Sequence, residues 1–416
     1  MSQLNVTLAI TGLAVISIGL LSSRIDRAAL SAPMLALATG VVTGPLALGW
    51  IAPGGWPEAH TVLKQAARLT LAISVFGIAI RTPLEDLRRL ARPVAVLLTL
   101  GMLAMWAVSA GLAWGLMGLS PLIALALGAA LTPTDPVVAS SIVTGPPAER
   151  ALPDRLRGTI SLESGANDGL GYLLVLLPVH FLNRAAPEAW GVWLRDTVLI
   201  GVGLAVAIGA VSGWLTARAL RRADARGWVE AHSELSLTVA LSLTVLALAK
   251  LAGSDGILAA FAAGVAFNMT ASRRQDREEE NVQEAISKLF NLPVFVLLGA
   301  MLPLAGWQAL GWQGVALAAL ILVLRRPVAV LICAPLLGQR ITRPDRLFLG
   351  WFGPIGIAAL YYALHLREQT GEEAIWHATS LVIVASVLAH GLTSSLGLAR
   401  YPTPEKTTPP GEAREA

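Results

Sequence analysis

Two aspartates, Asp135 and Asp168, stand inside hydrophobic stretches that are long enough to cross a bilayer. A carboxylate at the bilayer centre costs roughly 2.5–3.5 kcal/mol on insertion scales, so such residues are rare and usually functional. A carboxyl group at that depth can hold a proton or a metal cation. Two of them on successive stretches therefore indicate a pathway for ions or protons.

The first aspartate lies in the run Thr132-Pro133-Thr134-Asp135-Pro136, which places two prolines in the middle of a hydrophobic segment. Each proline removes a backbone N–H and clashes with the carbonyl four residues earlier, so a break in the helix is predicted. Unwound backbone at membrane depth is tolerated where it lines a protein-enclosed cavity. The freed carbonyls, the hydroxyls of Thr132 and Thr134 and the Asp135 carboxylate would suit a cation. The alternative is a proline kink in which Asp135 caps a neighbouring half-helix.

The second aspartate ends the run Glu163-Ser-Gly-Ala-Asn-Asp168. Residues three and four apart share a helix face, so Ser164, Asn167 and Asp168 are predicted to point the same way. Glu163 lies about 100° around the helix from Ser164. We predict a structural role for Glu163, which needs a cationic partner.

Two arginines, Arg325 and Arg326, lie inside another hydrophobic stretch, where an arginine must pair or reach water. A buried ion pair between Glu163 and Arg326 would satisfy both charges and brace the two segments against each other. Arg325 is the alternative partner. The histidines His180 and His390 could respond to pH, but both are predicted to be interfacial residues near helix ends.

The composition predicts what positions these residues. Hydrophobic residues make up 55% of the 416 residues and charged residues 14%, with a mean hydropathy of +0.65. A water-soluble fold could not cover so much apolar surface, so we predict an all-α polytopic membrane protein. At about 20 apolar residues per span, thirteen spans are predicted, at residues 4–21, 29–50, 61–80, 93–116, 119–144, 159–182, 197–220, 233–251, 255–269, 286–304, 310–337, 347–366 and 375–398.

The twelfth span contains a second break, Gly350-Trp-Phe-Gly-Pro354-Ile-Gly356, in which Pro354 frees the carbonyl of Gly350. If spans one to six and eight to thirteen are two repeats, the fifth span of each half is the interrupted one. Inverted repeats with broken helices that cross at the ion site are typical of secondary transporters. We predict one transmembrane domain over residues 1–400 and a short disordered cytoplasmic tail over residues 401–416.

Charge placement predicts the orientation of the chain. Most of the 31 lysines and arginines fall in alternate connections, which places the N-terminus outside and the C-terminus in the cytoplasm. The net charge of +4 therefore reflects topology, and no nucleic-acid partner is expected. The first stretch lacks a positive n-region, so it is predicted to be a retained span in the plasma, or inner, membrane. Cys333 is the only cysteine, which excludes an internal disulfide and a thiolate metal site.

At these motifs the chain resembles the sodium/proton antiporters of the monovalent cation:proton antiporter-1 family. The matching stretches are Leu131-Thr-Pro-Thr-Asp-Pro-Val-Val138, Glu163-Ser-Gly-Ala-Asn-Asp168, Ser254-Asp-Gly-Ile-Leu-Ala-Ala-Phe-Ala-Ala-Gly264 and Trp351-Phe-Gly-Pro-Ile-Gly-Ile357. The last two of these are most similar to the fungal plasma-membrane sodium/proton antiporter subgroup. The resemblance covers nearly the whole chain and implies the sodium/proton antiporter fold.

The resemblance also implies roles for the site residues. Asp168 would carry the ion and the proton alternately, with Thr134, Asp135 and Ser164 as ligands of the transported Na⁺. Asn167 before Asp168 implies the electroneutral branch. The expected partners are the monovalent cation, protons, membrane lipid and a second copy of the chain, with no cofactor. Two departures leave ion preference open: the twelfth span has Gly-Pro-Ile-Gly where many relatives have Gly-Leu-Arg-Gly, and the third span has no acidic residue.

These residues suffice for a mechanism. Burial favours the neutral form of a carboxyl group, whereas an adjacent cation favours the charged form, so H⁺ and Na⁺ exclude each other at Asp168. A site exposed alternately to each face then exchanges H⁺ for Na⁺ or Li⁺ without catalysing a reaction. The alternatives are proton-coupled antiport of K⁺ or another solute, a channel or sensor, and an intramembrane aspartyl protease. The protease would call for Gly-x-Gly-Asp, whereas Gly-Ala-Asn precedes Asp168.

Overall fold

The computed structural model describes residues 3–28, 30–229, 233–271 and 277–402, and all regular structure in these ranges is helical. The prediction of an all-α protein is therefore confirmed for the described part of the chain. Most of the predicted tail, residues 403–416, lies outside these ranges. The main helices are α1 Gln3–Leu20, α2 Ala32–Thr43, α3 Ala59–Arg81, α4 Ala91–Met117, α5 Pro121–Ala130, α6 Asp154–Asn183, α7 Ala186–Asp224, α8 Ser233–Leu251, α9 Gly256–Ala271, α10 Arg277–Ala300, α11 Leu304–Cys333, α12 Arg343–Trp351, α13 Ile357–Thr370 and α14 Glu373–Arg400.

Six of the described helices are long and apolar enough to cross a membrane, namely α1, α3, α4, α7, α11 and α14. Shorter apolar helices, which include α2, α5 and α9, pack between them. Helix α6 is 30 residues long and buries a row of polar side chains along its middle. This length and apolarity identify an integral membrane protein.

The outer surfaces of α1 and α7 expose apolar side chains. Leu4, Leu8 and Leu13 of α1 are each at least 60% exposed, and Leu199 of α7 is 63% exposed. A helix with exposed leucines is suited to contact lipid, because lipid tails are as apolar as leucine. The polar residues of α6 lie away from these surfaces, in the interior.

Small residues allow the helices to approach closely. A Cβ at Gly209 or Gly213 of α7 would overlap the backbone carbonyl of Ala259 or Ala263 of α9. A Cβ at Gly40 of α2 would likewise overlap the Val296 carbonyl of α10. Without a hydrophobic drive between helices in lipid, such close packing is a main source of attraction.

Both predicted helix breaks are present. Helix α5 begins after Ser120, whose hydroxyl accepts from the Ile123 amide, and it ends at Ala130, just before the two prolines. Residues 131–139 are not helical. The second break covers residues 352–356, between α12 and α13. The sequence therefore predicts both interruptions at the positions where proline removes the backbone donor.

Several predicted spans differ in extent from the helices, and two of them run past a turn. The predicted span 29–50 contains the helix Ala32–Thr43 only, because Gly44 ends the helix and a proline follows it. The predicted span 286–304 runs past the end of α10 at Ala300, and α11 begins at Leu304 directly after Pro303. In both places the apolar composition continues through a turn, so hydropathy alone does not mark the boundary.

Candidate functional site

Asp168 lies near the middle of α6, about 21 Å along the helix from its start at 1.5 Å per residue. Its side chain is fully buried, and neither carboxyl oxygen has a hydrogen-bond partner among the described residues. Its backbone carbonyl accepts a hydrogen bond of 2.5 Å from the Tyr362 hydroxyl of α13. A buried, unpartnered carboxylate is strongly unfavourable. The group therefore suits the holding of a proton or a cation.

Three of the predicted site residues come together beside Asp168. The hydroxyls of Thr134 and Ser164 lie 3.0 Å apart. The Asn167 side-chain Nδ2 donates to the Thr134 hydroxyl at 2.8 Å, and the Thr134 N–H donates back to Asn167 Oδ1 at 3.2 Å. These bonds hold the unwound part after α5 against α6. The Thr132 hydroxyl instead donates to the Gly128 carbonyl at 2.8 Å, so it is turned into its own helix.

Asp135 binds backbone N–H groups at the crossing of the two breaks. Its Oδ1 accepts from Val137 at 2.6 Å and Val138 at 3.2 Å, and its Oδ2 accepts from Ile357, the first residue of α13. Its own N–H donates to the Pro354 carbonyl at 2.8 Å. This geometry is the half-helix cap that the sequence left open as the alternative. Ligation of a cation by Asp135 stays a prediction.

The Glu163–Arg326 ion pair is present in a bidentate form. Arg326 Nη2 lies 2.6 Å from Glu163 Oε2, and Nη1 lies 3.0 Å from Oε1. Both side chains are buried, with Arg326 only 3% exposed. Arg326 Nε also donates to the Leu349 carbonyl at 2.7 Å, and the Asn167 amide donates to Glu163. The pair therefore joins α6, α11 and α12.

Arg325 has a role that the sequence does not reveal. Its guanidinium donates to the carbonyls of Leu131, Thr132 and Pro133 after α5, and to that of Gly353 in the second break. The Thr132 carbonyl, one of the two that the prolines were expected to free for a transported cation, is thus bound by a fixed cation, whereas the other, that of Ala129, accepts from the Thr132 N–H. The sequence held one indication of this role. Two arginines stand side by side in a hydrophobic stretch, and Glu163 can pair with only one of them.

A cavity lies next to the site. A cavity of about 60 Å³ is lined by Ser74, Val137, Ser161 and Asn291 among others, and Ser161 lies one helical turn before Ser164. Packing is tight at Gly171, three residues after Asp168, where a Cβ would lie 2.9 Å from Pro133 and 3.0 Å from Tyr362. In the described ranges, no three His, Cys, Asp or Glu residues group to hold a metal ion. A cation here would depend on hydroxyl oxygens and one or two carboxylates.

Replacement of Gly356 by alanine is expected to lower the melting temperature of the purified protein in detergent. The new Cβ would overlap the Asp135 carboxylate, and overpacking of this kind typically destabilises by about 1–3 kcal/mol. Gly350→Ala is the matched control, since its Cβ would meet no atom closer than the Cα of Pro327 at 3.5 Å. Equal melting temperatures for the two variants would contradict the packing at the crossing.

Known proteins are similar to this chain in sequence. Na(+)/H(+) antiporter 2 of Zygosaccharomyces rouxii is 30% identical over 403 residues, which cover 88% of this chain and 49% of that protein. K(+)/H(+) antiporter NhaP2 of Shewanella sp. (strain MR-4) is 25% identical over 402 residues, 95% of this chain and 67% of that protein. This chain therefore spans about half the length of the yeast relative.

The fold is shared with a solved structure. The sodium proton antiporter MjNhaP1 from Methanocaldococcus jannaschii matches with a TM-score of 0.74 at 19% sequence identity, over 96% of this chain and 99% of that chain. The family model described as "Sodium/hydrogen exchanger, transmembrane" matches residues 11–399. Because that match covers nearly the whole chain, the chain belongs to the transmembrane sodium/hydrogen exchanger family.

Proposed function

We propose that this chain is a secondary antiporter, and not an enzyme, that exchanges Na⁺ or Li⁺ for H⁺ at Asp168. The observation that carries the proposal is the Asp168 carboxyl group, buried and without a hydrogen-bond donor in the described structure. Such a group must be neutralised, and either a proton or a monovalent cation does so. Since both ions use the same oxygens, binding of one displaces the other.

The proposed ligands of the cation are the Asp168 carboxylate and the hydroxyls of Thr134 and Ser164, which already lie 3.0 Å from each other. A carboxylate has about four acceptor positions, and Asp135 uses three of them on backbone N–H groups. Asp135 therefore has room for one further contact with the ion. Thr132 would join only if its hydroxyl left the Gly128 carbonyl.

We propose that the exchange is electroneutral, with one proton for each Na⁺. Glu163 is engaged with Arg326, and Asp135 is engaged with backbone donors. Asn167, next to Asp168, is an amide and does not titrate. Asp168 is thus the carboxyl group at the crossing that is left to alternate between two ions.

We further propose thirteen spans in two inverted repeats, within a single transmembrane domain over residues 1–400. Counting α12 and α13 as one interrupted span turns the fourteen main helices into thirteen spans. The break after α5 and the break before α13 then occupy the fifth position of each half, which supports the repeat. The orientation with the N-terminus outside, the plasma or inner membrane, the tail after residue 400 and the homodimer belong to this proposal.

Proton-coupled K⁺ transport is the second candidate function. It is favoured by the similarity to a protein named K(+)/H(+) antiporter NhaP2. The hydroxyl and carboxylate oxygens at the site are compatible with either ion, because hard oxygen ligands suit all alkali cations. Each cation must therefore be tested separately.

Reconstitution into proteoliposomes that contain a pH-sensitive dye tests the proposed function. Addition of Na⁺ or Li⁺ is expected to release protons, and a membrane potential set with a permeant anion is expected to leave the rate unchanged. Empty liposomes are the control for leak. A response to K⁺ alone would favour the second candidate, and a strong dependence on potential would refute the one-to-one stoichiometry.

A further inference from the structure

The break between α12 and α13 is held from the side by α14. Helix α14 hydrogen-bonds two backbone groups of this segment, the Trp351 carbonyl at the end of α12 and the Ile355 N–H. The Ser386 hydroxyl oxygen accepts from Ile355 N–H at 2.7 Å, and His390 Nε2 lies 2.9 Å from the Trp351 carbonyl oxygen. Ser386 and His390 are one turn apart on α14. We call these two residues the break clamp.

Both ring nitrogens of His390 are engaged. The Trp351 carbonyl can only accept, so Nε2 carries a proton. Nδ1 lies 2.9 Å from the Ser386 carbonyl oxygen and 3.1 Å from the Ser386 hydroxyl oxygen, which itself accepts from the Ile355 N–H. Hydrogen bonds therefore connect Ile355, Ser386, His390 and Trp351.

His390 is thus an interior residue, which corrects the interfacial position expected from the sequence. It is 4% exposed, and its ring lies against those of Trp351 and Phe352 at 5.6 and 6.3 Å between centroids. The charged groups that act on the ring are the fixed cations Arg325 and Arg326 of α11. Neither is a proton donor to it.

The segment that the clamp holds carries the bonds of the crossing. Between Trp351 and Ile355 lie the Gly353 carbonyl, which accepts from Arg325 at 2.5 Å, and the Pro354 carbonyl, which accepts from the Asp135 N–H at 2.8 Å. A shift of the segment by a fraction of an ångström would lengthen both bonds. The clamp lies outside the group of proposed ligands, so its influence on them would be indirect.

We propose that Ser386 and His390 are positioning residues for the ion site, which they serve by holding the carbonyls of Gly353 and Pro354 at the crossing. The inference rests on the proposed exchange at Asp168. The clamp itself touches neither ion. Its loss is expected to weaken cation binding because Asp135 and the segment after α5 lose their fixed support.

Paired amide substitutions separate the two ends of His390. In His390→Gln the amide nitrogen can reach the place of Nε2 and keep the bond to Trp351, whereas in His390→Asn the shorter amide reaches only the place of Nδ1. Loss of a buried hydrogen-bond partner is expected to raise the apparent KM for Na⁺ by roughly tenfold in His390→Asn. His390→Gln is expected to stay near the wild-type KM, with the maximal rate of both variants less affected than KM.

Ser386→Ala is expected to show the same rise in KM, since Ile355 N–H loses its acceptor. Ser394→Ala is the matched control on the same helix, because the Ser394 hydroxyl donates only to the Gly391 carbonyl of α14 itself. Ser394→Ala should leave KM unchanged. Unchanged KM values in both Ser386→Ala and His390→Asn, with the proteins folded, would overturn the proposal.

If Ser386→Ala does not fold, the pair Ser386→Thr and Ser386→Val replaces it, because these two side chains differ by one hydroxyl. Amide hydrogen exchange of Ile355 in the wild-type protein is the second measurement. Slow exchange supports the clamp, and exchange as fast as that of an unprotected amide overturns it. Wild-type protein that moves no cation would refute the proposed function, whereas the exchange of Ile355 would still report on the clamp.

Discussion

Asp168→Asn is expected to abolish Na⁺-driven proton movement and to leave the protein folded in the membrane. The amide has nearly the same volume as the carboxyl group but cannot take up or release a proton. Because the Asp168 oxygens bind no donor in the described structure, the substitution removes no existing hydrogen bond. The measurement is proton release by Na⁺ in proteoliposomes, together with the melting temperature in detergent.

Asp135→Asn is the informative comparison for this result. Both oxygens of Asp135 accept from backbone N–H groups, at Ile357 and at Val137 and Val138. Asparagine keeps only one acceptor oxygen, so at least one buried N–H loses its partner, which typically costs about 1–3 kcal/mol and should lower the melting temperature. Asp168→Asn should not lower it. Exchange near the wild-type rate in Asp168→Asn proteoliposomes would refute the assignment of the carrier.

Neutralisation of either Glu163 or Arg326 alone is expected to destabilise the protein strongly. Removal of one member of a buried pair typically costs about 3–5 kcal/mol, because the remaining charge has no partner. Glu163→Gln and Arg326→Met should each lower the melting temperature, and the double variant should recover part of the loss. The measurement is a double-mutant cycle on the melting temperature in detergent.

The neighbouring arginine supplies the matched control for this cycle. Arg325 donates to backbone carbonyls and makes no salt bridge with Glu163 in the described structure. Glu163→Gln combined with Arg325→Met should therefore show a much smaller coupling than the Glu163–Arg326 cycle. Additive effects in the Glu163–Arg326 cycle would mean that the two charges do not stabilise each other.

Features with a local physical cause could be predicted from the sequence. Pro133 and Pro354 break their helices because each lacks a backbone donor, and the breaks lie where expected. That Glu163 pairs with one of the two arginines follows from the need of buried charges to pair, whereas the structure decides for Arg326 over Arg325. Thr134 and Ser164 come together because Ser164 lies on the polar face of α6 and Thr134 lies in the break after α5.

Features decided by three-dimensional packing could not be predicted in this way. Asp135 had two open roles, and only the approach of Ile357 from a distant segment places it as a cap. Arg325 and His390 both bind backbone carbonyls, and a carbonyl acceptor leaves no mark in the sequence because every residue has one. Likewise, the ends of α2 and α10 lie inside apolar runs.

The pairing of charges where the two helix breaks cross affects how tightly the movements of H⁺ and Na⁺ are coupled. Glu163 is balanced by Arg326, while Asp135 and Arg325 are held by the opposed ends of broken helices. A carrier with H⁺ or Na⁺ on Asp168 would then cross the bilayer without net charge, and an empty one would carry a full negative charge. Moving an unpaired ion through a medium of low dielectric costs several kcal/mol even after relaxation. The empty carrier would therefore cross the bilayer only rarely, so neither ion could move down its gradient without exchange for the other. Tight coupling would then need no gate in addition to this difference in charge.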